Sequence, residues 1–141
     1  MTLGVPVIRF ASHTGSKLGN SDSNNWQRIE HLSISFGSSE SGHALVTLTV
    51  PHTWNDKAGG GAAFRIVFSE NDVTKVLATG YYSTAQDDQL IPVSVNAMVQ
   101  LEPTPFEKTI FVEWRMINGG RAWIGHTGIT TLAAILQPDR A

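Results

Sequence analysis

Alternation of apolar and polar positions runs through most of this chain. From residue 109 the stretch TIFVEWRMI places Ile110, Val112, Trp114 and Met116 on one side of an extended strand. Phe111, Glu113, Arg115 and Ile117 fall on the other side. A period of two marks a pleated strand with one face turned to a core. Asn118-Gly119-Gly120 follows, and these residues accept positive φ at little cost. The chain resumes over residues 121–125 and ends in an apolar stretch over 130–136. This pattern predicts a hairpin followed by a terminal strand that closes a sheet.

The same reading assigns the upstream strands. Residues 44–50 (ALVTLTV) alternate and are rich in β-branched side chains. Pro51 has no N–H and is expected to end that ladder. In residues 26–36, Ile29 shares a face with His31, Ser33 and Ser35, whereas Glu30 shares one with Leu32, Ile34 and Phe36. That change of polarity predicts a bend or bulge. Residues 90–101 put Ile91, Val93, Val95, Ala97 and Val99 on one face. Further strands are expected over 5–10, 63–69 and 75–83. The segment 12–25, rich in Gly, Ser, Asn and Asp, reads as a loop, as do 52–62, 85–89 and 102–108. Nine or ten strands at short spacing, with no amphipathic helix and no long repeat, predict an all-β jelly-roll sandwich. One domain is expected over 1–141.

Composition narrows the function. A chain of 141 residues with 41% hydrophobic content can build one respectable core. No segment is long and apolar enough for a membrane-spanning helix. The start, MTLGVPVIRF, lacks the basic and apolar regions of a Sec leader, so synthesis in the cytoplasm is expected, with later release by another route left open. The formal net charge of −2 makes nucleic acid and anionic lipid poor first partners. Without cysteine there is no disulfide, no thiol nucleophile and no Cys-ligated zinc.

Catalytic signatures are missing from the sequence. There is no G-x-S-x-G elbow, and Gly59-Gly60-Gly61 is not followed by the Lys-Ser/Thr of a phosphate-binding loop. His13, His31, His43, His52 and His126 are not paired at metal-ligand spacing, and each reads as a surface or hydrogen-bonded residue. Asp87-Asp88 and the Glu70/Asp72 pair carry the hard oxygens that calcium takes, but such pairs are more often solvated turns. No enzyme activity, cofactor or metal is expected. The aromatics carry more. Trp54, in the polar segment HTWNDK, reads either as a loop platform for a sugar or partner or as a loop anchor. Trp123 and Arg121 give a platform beside a fork of donors, or simply a surface cation–π pair. Trp114 and Trp26 read as packing residues. Of the adjacent Tyr81 and Tyr82, at most one can enter the core.

In order along the chain stand Leu48-Thr49-Val50-Pro51, Phe64-Arg65-Ile66, the run VLATGYYS over 76–83, Ile91-Pro92-Val93, Val112-Glu113-Trp114, Asn118-Gly119-Gly120 and the run TLAAI over 131–135. In this order and spacing the chain resembles the TNF-like bacterial lectin domain family, typified by the fucose-binding N-terminal domain of a Burkholderia cenocepacia lectin. The resemblance covers about residues 43–136, and 26–42 more weakly. It implies a TNF/C1q-like jelly roll assembled as a homotrimer, with carbohydrate pockets between protomers. Carried over by position, it puts Trp54 at the family's loop aromatic and Ser83 and Thr84 at a strand end of the pocket. Thr84 and Ala63 stand where the family has tyrosines, and Leu90 and Asn118 near its two sugar-binding arginines. Arg121, three residues on, is a candidate replacement. Each lost arginine removes charge-assisted hydrogen bonds worth about 1.5–3 kcal/mol, so an altered sugar preference is expected.

The expectation is therefore a non-enzymatic, homotrimeric lectin for fucosylated or related glycans. Its ligand-binding residues would be Trp54, Ser83, Thr84, Asp88, Arg121 and His126. The competing readings are a TNF/C1q-like structural or protein-recognition module of a larger assembly, and a cupin-type enzyme, which the missing His-x-His pair disfavours.

Overall fold

A computed structural model describes residues 4–14, 17–19, 25–119, 121–125 and 128–139. The described residues form ten strands and no helix: β1 (Val7–His13), β2 (Lys17–Gly19), β3 (Gln27–Phe36), β4 (Gly42–Asn55), β5 (Gly61–Glu70), β6 (Val73–Ser83), β7 (Gln89–Leu101), β8 (Lys108–Ile117), β9 (Ala122–Ile124) and β10 (Thr130–Pro138). They form two antiparallel sheets. The first runs β1-β10-β4-β9-β2, with β7 on the other side of β4, and the second runs β3-β8-β5-β6. This is a jelly-roll sandwich, as the alternation predicts.

The inward faces fill the space between the sheets. Trp114, Phe64 and Phe36 are almost wholly buried, among Ile29, Leu32, Val46, Leu48, Ile66, Val112 and Leu132. Phe64 packs on Trp114 with ring centroids 5.9 Å apart. The segregation within β7 follows the sequence: Val95, Ala97 and Leu101 are buried while Leu90, Pro92, Ser94, Asn96 and Met98 are exposed. The expected irregularity in β3 lies between Arg28 and Ser33, where the register shifts and His31 takes φ of 69°.

Four expectations are corrected. The residues after Asn118-Gly119 do not fold back on β8. Strand β8 belongs to the second sheet and β9 to the first, where β9 pairs with β4 and β2. The turn passes the chain between sheets, because turn chemistry sets a reversal and not the partner of the next strand. Gly120 lies outside the described residues. Strand β10 does not close its sheet but lies between β1 and β4. Pro51 does not end β4: a register shift between Val50 and Thr53 absorbs the residue without a donor, and pairing resumes at Thr53–Ile91. The segment read as a loop over 12–25 contains the short strand β2.

Candidate ligand-binding site

Three connections meet at one end of the sandwich: residues 55–61 between β4 and β5, 83–89 between β6 and β7, and 117–119 with 121–122 between β8 and β9. Backbone bonds lace them together. Asp56 N–H donates to Arg121 O (3.1 Å), Gly59 N–H to Thr84 O (2.7 Å), Thr84 N–H to Gly60 O (2.9 Å) and Asp88 N–H to Asn55 O (3.0 Å). Asp88, Asn118 and Gly119 all adopt positive φ, which lets the chain reverse so tightly here. Gly60 sits at the crossing of the connections. A Cβ there would come within 2.6 Å of Asn55 Oδ1 and 2.9 Å of Gly119 O.

Side chains complete the lacing. Asp56 Oδ1 accepts from Arg121 N–H (2.6 Å), and Asp87 Oδ1 accepts from Ala58 N–H (2.7 Å). Gln89 Oε1 accepts from Ala85 N–H (2.9 Å), and Asn118 Nδ2 donates to Gly59 O (3.2 Å). Thr84 is buried, with its hydroxyl 3.0 Å from Lys57 O and 3.3 Å from Gly60 O. Beneath the cluster, burial pushes the Tyr82 phenol up to about 12, opposed in part by the Thr53 hydroxyl.

Of the six sequence candidates, Thr84, Asp88 and Arg121 come together in this lacing, and Ser83 stands exposed at the end of β6 beside it. Thr84 supports the connections and does not face solvent. Trp54 is not a loop residue. The ladder resumes past the bulge, so Trp54 lies on β4, half-buried, with its indole 4.1 Å from that of Trp123 in an edge-on contact. Trp54 is also in register with Leu90 on β7. The Trp123–Trp54 contact takes the place of the expected pairing of Trp123 with Arg121. Sequence reasoning missed it because it depends on β9 joining β4. His126 lies outside the described residues. Tyr82 enters the core and Tyr81 does not, at 6% and 75% exposed. Trp26 packs under two guanidinium groups, Arg65 at 4.2 Å and Arg115 at 5.2 Å. Among the described residues no group of three His, Asp or Glu side chains could hold a metal ion.

A second feature lies on the outer face of the first sheet. Ile8, Ile135, Leu45 and Met98 are cross-strand partners in one row over β1, β10, β4 and β7, each between 42% and 68% exposed. Phe10, at 74%, continues the patch in the next row. Leu90, Trp54 and Trp123 form a further row on the same face, towards the laced end. On the second sheet the outward Phe111 is covered within the chain, by Arg28 with its guanidinium 4.3 Å from the ring.

Comparison with known proteins bears on the fold. The chain is similar to the structure of Eiger TNF from S. frugiperda, at 12% identity and a TM-score of 0.57, with 95% of each chain covered. No family model and no curated protein matches the chain. These findings establish a TNF-like jelly roll and do not extend to the bacterial lectin family.

Proposed function

We propose that the chain is a non-enzymatic glycan-binding module that works as a homotrimer, with copies meeting on the outer face of the first sheet. The observation that carries this reading is the in-register row of Ile8, Ile135, Leu45 and Met98, apolar and exposed across four strands. Contiguous exposed apolar surface of this kind marks an association site. The three-copy stoichiometry is the one the lectin resemblance implies. Glycan binding is supported by the Trp54–Trp123 pair, which puts half-exposed aromatic surface near the exposed Arg121 and Asp88. Aromatic faces stack on sugar C–H groups, and the polar rim bonds hydroxyls. Shallow single sites gain strength when several copies are displayed on one rigid body.

A glycan array followed by titration calorimetry tests this reading. Binding of at least one glycan class that weakens in Arg121→Ala is expected, and the absence of binding to any glycan at millimolar sugar would remove it. One observation favours a second reading, a protein-recognition module of a larger assembly. Thr84, Asp56, Asp87 and Gln89 are engaged in holding the connections together, which leaves fewer polar groups for sugar hydroxyls. In that case Arg121→Ala would lose a protein partner while glycan binding is absent from the start.

A further inference from the structure

The outer face of the second sheet carries a notch that the reading above does not use. Arg115 on β8, Ala63 on β5 and Tyr81 on β6 are cross-strand partners in one row. The central residue is short and buried, so Arg115 and Tyr81 stand on either side of it, and a notch opens beside this row. Its lining comprises Tyr81, Arg115, Met116, Ile117 and Asn118, and its volume is about 430 Å³. That lies within the range usual for small-molecule sites and is open enough to admit a pyranose ring. Tyr81, 75% exposed, supplies a flat apolar wall.

The opposite wall is charged. In the neighbouring row Arg65 is neutralised by Glu113, at 2.7 Å. Arg115 has no ion pair among the described residues, and its Nε is buried without a hydrogen-bond partner. Its guanidinium is held near the Trp26 ring, which restricts the rotamers it must give up on binding. A half-buried, pre-oriented guanidinium facing a trough suits a carboxylate, which it can engage with two parallel bonds.

We propose that this notch binds a sugar that carries a carboxylate, such as a uronic acid, with the ring against Tyr81 and the carboxylate on Arg115. The proposal rests on the glycan reading for the ring and adds the charge. Calorimetric titration of the intact protein with glucuronate, glucose and acetate tests it. Glucuronate should bind at least about tenfold more tightly than either glucose or acetate, the order expected when one charge-assisted pair is added to ring contacts. Arg115→Gln should abolish the preference for glucuronate over glucose. Ile117→Trp, at a half-buried lining position, should fill the notch and abolish glucuronate binding without altering the charge, and Tyr81→Ala, at an exposed position, should weaken glucuronate and glucose alike. Those two variants keep the test decisive if Arg115→Gln fails to fold. Glucuronate bound no better than glucose, or unaffected by Ile117→Trp, would overturn the proposal while array binding of neutral glycans left the glycan reading standing. Acetate bound as tightly as glucuronate, with no glycan bound on the array, would overturn both.

Discussion

At the scale of single residues, the laced end of the sandwich depends on groups that a ligand-centred view would misassign. Thr84 occupies a position that the resemblance assigns to sugar contact, yet it is 2% exposed and bonded to two loop carbonyls. Thr84→Val removes the hydroxyl's bonds while both carbonyls keep a backbone donor, and denaturant unfolding should show a loss of about 0.5–1.5 kcal/mol. Thr84→Ser, which restores the donor, should recover most of it. Tyr82 gives a pH signature. Its phenol is shifted from 10.0 to about 12 in the folded chain by burial. The neutral form is the one the fold favours, so the associated stability is complete below pH 10 and is lost as pH rises from 10 towards 12. Unfolding midpoints should fall over that window, and Tyr82→Phe should flatten the slope. At acid pH the relevant group is Glu40. Burial raises its carboxyl, but the hydrogen bonds from Arg9 and the Gly37 amide and the charges of Arg9 and Lys108 outweigh that and hold it below its ordinary value.

At the scale of elements, periodicity located β3 to β8 because each has one inward face, and alternation alone reports that. It could not report pairing. Asn118-Gly119 was legible as a turn, but whether β9 joins β8 or β4 depends on contacts distant in sequence. The same blindness misplaced Trp54: a proline read as a strand end is, in the fold, one residue of a bulge with the ladder intact beyond it. Of the candidate site, Thr84, Asp88 and Arg121 were placed by the resemblance and not by periodicity, whereas the Trp54–Trp123 contact needed the topology. Lys108 is another case. It ends the segment read as a loop over 102–108, but it is fully buried, with Nζ bonded to Ser38 O (3.1 Å), Thr104 Oγ1 (3.3 Å) and Phe106 O (3.4 Å). It ties the connection between β7 and β8 to the turn before β4. Lys108→Met removes these bonds while keeping the bulk, and should cost about 1.5–3 kcal/mol, with faster amide exchange confined to these two connections.

At the scale of the whole molecule, the account turns on the outer face of the first sheet. Full burial of each of its large apolar side chains is worth about 1.5–3 kcal/mol. Association of two bodies costs roughly 4–15 kcal/mol before any contact is counted. The face can overcome that cost only if most of the row is covered together, so a single charge at its centre should be decisive. Leu45, flanked in register by Ile135 and Met98, is that centre. Sedimentation equilibrium of the wild-type chain beside Leu45→Glu measures this directly. The account predicts a wild-type mass of three copies at micromolar concentration, and one copy, still folded, for Leu45→Glu. A wild-type chain that sediments as a single copy at those concentrations would contradict it.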